Sequence, residues 1–181
     1  LPEYIRDYVD TTDLVPFLES WSRMVGMDSE TFRTSALDNG QVKPEYLINL
    51  NAGAIVLLQV LIAYLVRKTT PLVSIIAGVT VTILSFLVYL AGASGWVVVS
   101  AILVFSVGEM LASPRSKEYA GNIAPPDKVG MYMGYFYWCV ALGNLFGGLL
   151  SGGLYLHFGP VERVGVDNPD VMWVIFAGLA L

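Results

Sequence analysis

The chain has 181 residues, of which 55% are hydrophobic and only 14% are charged, and its mean hydropathy is +0.63. Soluble domains carry roughly a quarter charged residues, so this composition excludes an ordinary soluble domain. The net charge of −5 comes without a basic stripe, which argues against nucleic-acid binding, and a single cysteine, Cys139, excludes an intrachain disulfide.

The apolar residues cluster in runs of about 20, the length at which a helix crosses roughly 30 Å of hydrocarbon. The pattern therefore predicts an all-α membrane protein that crosses the membrane several times. The predicted spans cover residues 46–66, 72–91, 96–119, 129–158 and 171–181, and the third should be interrupted at Pro114. The last span has about 11 residues, too few to cross at 1.5 Å per residue. We therefore expect the chain to be an internal fragment of a longer protein.

Residues 1–45 precede the first span, and residues 1–9 are typical of the end of a preceding transmembrane helix. An amphipathic helix should follow and stop at Gly26, with an apolar face made of Leu14, Phe17, Leu18, Trp21, Met24 and Val25. Either this helix lies at the membrane surface with Trp21 at headgroup depth, or it caps the protein's own helix ends. A second short helix is expected to end near Asn39-Gly40.

The distribution of lysine and arginine predicts the orientation, because short cytoplasmic loops carry an excess of these residues. Two predicted loops are basic, the first with Arg67 and Lys68 and the second with Arg115, Lys117 and Lys128. On the opposite side, the loop after the fourth span has one arginine, Arg163. We therefore expect the two basic loops inside and residues 1–45 outside, in a multi-pass protein of the cell (inner) membrane.

Glu109 is an acidic residue within the third span. A carboxylate at membrane depth costs about 2.5 kcal/mol or more to insert, so such residues are functional candidates. Its face of the helix carries Phe105, Ser106, Ala112 and Ser113. This small and polar face predicts that Glu109 points into a cavity, where it can bind and release a proton or a cationic substrate. The alternative is a structural carboxyl that pairs with a basic residue elsewhere in the protein.

Further polar and aromatic candidates lie on the first and fourth spans. Asn49 and Asn51 enter the first span, where each could hydrogen-bond a substrate or a neighbouring helix. Phe136 shares a face of the fourth span with Tyr132 and could line a cavity. A stripe on the fourth span, typical of close helix packing, consists of Asn144, Gly147, Gly148 and Ser151.

Several of these residues form patterns that resemble helices ten and eleven of the proton-dependent oligopeptide transporter family, which belongs to the major facilitator superfamily. The patterns are Gly108-Glu109-x-x-x-Ser113-Pro114, Met133-Gly134-x-Phe136 and Ala141-x-Gly143-Asn144. Asn49-Leu50-Asn51-Ala52 is similar to the family's eighth-helix Ser-x-Asn-Pro motif, with alanine where proline is usual. The resemblance implies the C-terminal helical bundle of a major facilitator-type transporter, with helices eight to twelve here and an N-terminal half elsewhere in the same chain.

The resemblance also implies a substrate and proton site. Glu109 would bind the amino terminus of a peptide, and Asn51 would lie near the substrate. Phe136 stands where the family usually has tryptophan, and Asn144 completes the predicted set. The implied partners are a small-molecule substrate, protons and membrane lipids.

The leading hypothesis is a proton-coupled secondary active transporter that moves a small polar, peptide-like solute by alternating access between two halves. The alternatives are a major facilitator transporter of another substrate class and a polytopic membrane enzyme that uses Glu109 as acid or base. The enzyme would need a second acid, a serine–base pair or a metal cluster near Glu109, and the sequence offers none. A channel would need rings of like residues from several subunits. The sequence has no zinc motif or phosphate loop, so we expect no metal and no cofactor.

Overall fold

The computed structural model describes residues 2–24, 26, 28–158 and 169–180, so Val25 and Arg163 of the predictions lie outside the described residues. The helices are α1 (Pro2–Tyr8), α2 (Val15–Met24), α3 (Ser29–Ala36), α4 (Pro44–Leu65), α5 (Pro71–Val88), α6 (Gly95–Ile123), α7 (Val129–Phe158) and α8 (Pro169–Leu179). Short 3₁₀ turns cover Thr12–Leu14 and Tyr89–Ala91, and two-residue strands β1 (Leu37–Asp38) and β2 (Gln41–Val42) form a hairpin.

Helices α4 to α7 are long and apolar enough to cross a membrane, and this confirms the predicted class of an all-α membrane protein. Each begins within two residues of the start predicted from the apolar runs. Helix α5 begins at Pro71, as a helix start favours proline at its first position, where no backbone N–H is needed. Much of the outer surface of these helices consists of exposed large apolar side chains, which suits contact with lipid.

The predicted interruption at Pro114 is wrong, because α6 continues through this residue to Ile123. Proline removes one backbone hydrogen bond, and membrane helices tolerate this loss where nearby groups satisfy the backbone. Pro114 itself is exposed, and the Ser116 hydroxyl donates to the Ala112 carbonyl at 2.8 Å. Consequently Arg115 and Lys117 lie on the helix, and not in a loop as the sequence had indicated.

Helix α6 is central, since it packs against α5 and α4 on long faces and also contacts α7. Helices α5 and α6 approach each other closely at Gly78 and Gly108. A Cβ added at Gly78 would lie 2.7 Å from the Gly108 carbonyl oxygen, and one added at Gly108 would lie 2.9 Å from the Gly78 carbonyl oxygen. Only glycine fits at both positions. This crossing therefore holds α6 against α5 directly beside Glu109, the next residue on α6.

The stripe predicted to pack closely lies on α7, and its glycines have no neighbour in the described part of the chain. None of the α7 residues is buried. A Cβ added at Gly143, Gly147 or Gly148 would meet no atom within 4 Å. The predicted close packing is therefore not formed among the described residues, because glycine spacing does not say which helix face has a neighbour.

Residues 10–43, here called the cap, lie against one end of the bundle. Leu14 is buried while Phe17 and Trp21 are 53% and 59% exposed, so α2 caps the helix ends with one edge and leaves the other open. The second predicted helix is present as α3, but it ends at Ala36 and not near Asn39-Gly40, because these two residues form the hairpin turn. Both have positive φ, as a two-residue hairpin turn requires.

Polar contacts attach the cap to the start of α6. The Ser94 hydroxyl donates to the Asp13 carboxylate at 2.6 Å, and the backbones of Asp10 and Ser94 form a parallel bridge. Within the cap, the buried Thr11 hydroxyl accepts a hydrogen bond from the Val42 N–H at 2.8 Å. The cap is therefore joined to the helix that carries Glu109.

Candidate functional site

Three side chains from two helices form the polar centre of the bundle. The Asn51 amide on α4 donates from Nδ2 to Oε2 of Glu109 on α6, at 3.2 Å. The Ser106 hydroxyl contacts Oδ1 of Asn51 at 2.6 Å and the Ile102 carbonyl at 2.7 Å. Ser106 is buried, while Asn51 and Glu109 are partly buried. The Asn51 amide thus contacts both groups: its N–H binds the Glu109 carboxylate, and its oxygen binds the Ser106 hydroxyl.

The local sequence explains why these groups meet. Ser106 and Glu109 are three residues apart on α6, so they share one face of the helix. Asn51 lies two turns into α4, at the same depth, where α4 packs on α6. Within the described residues Glu109 forms no ion pair, so no basic residue of the described chain neutralises it.

A cavity of about 420 Å³, here called the aromatic cavity, adjoins Asn51. Its other lining residues come from α4, α5, α6, α7 and α8 and from the 3₁₀ turn after α5: Ile48, Phe86, Tyr89, Ile102, Phe105, Ser151, Trp173 and Phe176. The rings of Tyr89 and Trp173 stack with centroids 4.0 Å apart. An apolar cavity beside a few convergent polar groups is the usual form of a small-molecule site.

The other predicted site residues are placed differently. Phe136 is partly buried and its ring contacts Tyr137 at 5.5 Å, whereas Asn144 is exposed, and so is Asn49. Among the described hydrogen bonds, none joins Asn144 to Glu109 or Asn51. The structure therefore brings together Asn51 and Glu109 of the predicted set, with Ser106 added. Helix α7 contributes Ser151 to the aromatic cavity instead of Phe136 or Asn144.

At the opposite end of α4 and α6, sequence analysis missed the role of Arg115. Its guanidinium donates to the Val66 carbonyl just beyond the end of α4, and its Nη1 lies 2.7 Å from Glu118 Oε2. The Arg115 side chain is only 14% exposed. A cation at the C-terminus of a helix satisfies an orphan carbonyl and the helix dipole. Arg115 therefore ties the two helices of the polar centre together at a second point.

The described residues contain no group of three or more histidine, cysteine or acidic side chains that could hold a metal ion. His157 is exposed, and its ring packs edge-on against Phe158 at 4.8 Å. The donor sets that zinc or magnesium requires are not assembled around the Glu109 carboxylate in this part of the chain.

Comparison with known proteins decides the family, since the model described as Major Facilitator Superfamily matches residues 30–181. The chain belongs to the major facilitator superfamily. It is 30% identical over 115 residues to the uncharacterized MFS-type transporter YttB of Bacillus subtilis (strain 168), covering 62% of this chain and 29% of that protein. It is 23% identical over 145 residues to the uncharacterized MFS-type transporter YqjV of the same organism, covering 80% of this chain and 34% of that protein. No solved structure matches.

This chain spans about a third of the length of these relatives. The match confirms the predicted superfamily and, with the four apolar helices, an integral multi-pass membrane protein. Neither relative's name states a substrate. The superfamily is one of transporters, which excludes the alternative of a membrane enzyme that uses Glu109 as acid or base.

Proposed function

We propose that this chain is part of a proton-coupled secondary active transporter, which moves a small polar, peptide-like solute across the bacterial cell membrane by alternating access. The observation that carries the proposal is the hydrogen bond between Asn51 and Glu109, because it places a titratable group beside a cavity inside a membrane bundle. Transporter folds hold substrate and coupling ions at such depth and rock two halves around them. In this protein the other half would come from the rest of the same chain.

In the proposed cycle, Glu109 alternates between a protonated form and an ionised form. An ionised carboxylate within the membrane is costly without a partner, so a proton or a cationic group on the substrate must neutralise it before the bundle moves. Asn51 stabilises the ionised form through its N–H and can release it when a substrate takes its place. Ser106 keeps the amide of Asn51 in one orientation. The partners are therefore protons, a small molecule and the surrounding lipids.

The resemblance of Gly108-Glu109-x-x-x-Ser113-Pro114 to the oligopeptide transporter pattern supports a peptide-like solute. Another substrate class within the superfamily is the alternative. The basic residues at the Arg115 end support placing that end inside and the cap outside.

The proposal is tested with Glu109→Gln, which keeps the shape and removes the titration. Full-length protein is reconstituted in vesicles with an imposed pH gradient, matched for folded amount, and assayed with the solute that the wild type accumulates. Gradient-driven uptake should fall at least about a hundredfold, because a glutamine side chain cannot take up and release the coupling proton. Substrate exchange survives if Glu109 carries only protons, and fails if it also binds the substrate's amino group.

Glu118→Gln is the matched control, because Glu118 is an exposed acid on the same helix that pairs with Arg115. It should leave gradient-driven uptake within about twofold of wild type. A well-folded Glu109→Gln protein with unchanged gradient-driven uptake would show that Glu109 neither couples protons nor binds substrate.

A further inference from the structure

The aromatic cavity combines many rings with little polar chemistry. Five of its lining side chains are aromatic: Phe86, Tyr89, Phe105, Trp173 and Phe176. The polar groups among its lining side chains are the Asn51 amide, the Ser151 hydroxyl, the Tyr89 phenol and the Trp173 indole N–H. The Ser151 hydroxyl already donates to the Gly148 carbonyl at 3.1 Å. The cavity can therefore satisfy very few hydrogen-bonding groups of a ligand.

A zwitterionic peptide would meet a specific obstacle here. Its carboxylate needs a cation or several donors once it leaves water, and none of the lining residues is Lys, Arg or His. Each peptide amide would also need a partner, while two of the possible donors and acceptors of Asn51 are engaged by Glu109 and Ser106. The cavity thus disfavours ligands that carry a negative charge or several polar groups.

A cation meets the opposite conditions. Aromatic faces attract ammonium groups through the ring quadrupole, and the attraction grows when water is excluded. The carboxylate of Glu109 lies directly behind Asn51, within one hydrogen bond of the cavity lining. An ammonium beside Glu109 would pair with the carboxylate, through a charge-assisted hydrogen bond where it carries an N–H and through charge attraction alone where it is quaternary. The volume is also sufficient, since a cavity of roughly 150 Å³ can hold benzene and this one has about 420 Å³.

We infer that the substrate of this site is an organic cation with an apolar, ring-sized body, which occupies the aromatic cavity while its ammonium faces Asn51 and Glu109. This inference rests on the proposed transport through Glu109 and assigns a cation with an apolar body in place of the peptide-like solute. Trp173 and Tyr89 form the stacked wall for the body, and Phe86 on α5 and Phe105 on α6 lie with their ring centroids 6.2 Å apart.

Direct binding to the purified full-length protein tests the inference without requiring transport. The probe is benzyltrimethylammonium, a fixed cation with one ring, measured by titration calorimetry against three ligands that each lack one feature. Tetramethylammonium lacks the ring, 3-phenylpropionate reverses the charge, and glycylglycine is a polar zwitterion. Benzyltrimethylammonium should bind at least about tenfold tighter than each of them, because only it satisfies both the rings and the carboxylate.

Two tryptophan variants on α7 locate the binding. Ser151→Trp places a ring inside the aromatic cavity and should weaken benzyltrimethylammonium binding at least about tenfold by occupying the space. Leu149→Trp adds the same ring at a position that is 66% exposed and outside the lining, so binding should stay within about twofold. Glu109→Gln should also weaken binding of the cation, since it removes the charge that faces the ammonium.

The outcomes separate this inference from the proposed function. Tighter binding of glycylglycine or 3-phenylpropionate, equal effects of the two tryptophan variants, or benzyltrimethylammonium binding weaker than about 10 mM would overturn the cation assignment, even if Glu109-dependent uptake of another solute is found. Binding of benzyltrimethylammonium at the cavity without any gradient-driven transport would support the cation assignment and end the proposed function.

Discussion

Asn51 and Glu109, 58 residues apart in the chain, are joined by a 3.2 Å hydrogen bond between helices α4 and α6. Ser106 contacts the oxygen of the same amide, so the residue that binds Glu109 is itself fixed by a hydrogen bond. Partly buried polar networks of this kind gain from every satisfied member and lose when one member is removed. The pair therefore offers a direct test of coupling between the two helices.

We predict that Asn51→Ala and Glu109→Ala destabilise the protein less than additively. Each change removes the same interhelical bond, so the double variant should recover roughly 1 kcal/mol of coupling, within the range measured for membrane hydrogen bonds. The measurement is a double-mutant cycle on the SDS-induced unfolding of the full-length protein. Asn144→Ala paired with Glu109→Ala is the control, because Asn144 is exposed and should show additive effects. Additivity in the Asn51 cycle would contradict the observed bond.

The glycine crossing of α5 and α6 predicts opposite effects of the same substitution at two positions. Gly78→Ala puts a methyl group 2.7 Å from the Gly108 carbonyl oxygen and should lower stability by roughly 1–3 kcal/mol through overpacking. Gly152→Ala on α7 meets open space and should be neutral or stabilising by up to about 1 kcal/mol, since alanine is the better helix former. Thermal unfolding of both variants in detergent provides the comparison. A destabilised Gly152→Ala would show that α7 packs against something at that position.

Helix type and position were predictable from the sequence, because a run of about 20 apolar residues in a membrane must satisfy its backbone internally and so must be helical. The selection of Glu109 as a candidate followed from the same environment, since a charge at that depth is costly. Ser106 was placed on its face by helical spacing alone. The hydrogen-bond partner of Asn51 was not predictable, because nothing in the sequence near Asn51 distinguishes a bond to α6 from a bond to another helix.

The errors share a physical cause. Glycine spacing marks positions where another helix can approach closely, but it does not say at which of them a helix does. The stripe on α7 was therefore preferred over Gly78 and Gly108, where the close approach occurs. Pro114 was taken as a break, although neighbouring groups in a bundle satisfy the backbone that proline frees. Asn39-Gly40 is a strong hairpin signal, but its strands are only two residues long and carry no visible alternation.

The ion pair between Glu19 and Arg33 predicts a pH dependence of the cap. Arg33 Nε donates to Glu19 Oε1 at 2.6 Å across α2 and α3, and this guanidinium lowers the pKa of the Glu19 carboxyl below its usual range. A lowered folded-state pKa means that the pair stabilises the α2–α3 contact fully above the unfolded pKa of about 4.3. The contribution is lost as the pH falls through the lower folded value.

Spin labels on cysteines placed at Ser20 and Thr34, both exposed, measure the separation of these two helices. In a cysteine-free background, the distance distribution should broaden as the pH falls below about 4. Adding Glu19→Gln should remove this pH dependence, because the glutamine does not titrate. A broadening of equal size in the Glu19→Gln protein would assign the effect to other acids of the cap.

The last prediction concerns the orientation of the bundle. Helix α6 starts beside the cap at Gly95 and reaches Lys117 after 22 residues, a rise of roughly 33 Å that exceeds the hydrocarbon thickness of about 30 Å. The cap and Lys117 must therefore lie on opposite sides, and the basic residues at the Lys117 end predict that this side is cytoplasmic. In intact cells carrying a cysteine-free full-length protein, an impermeant thiol reagent should label Asp38→Cys but not Lys117→Cys, and permeabilised cells should show both. Both positions are exposed, so failure to label cannot be ascribed to burial. Labelling of Lys117→Cys alone in intact cells would reverse the orientation, and labelling of both would contradict α6 as a membrane span.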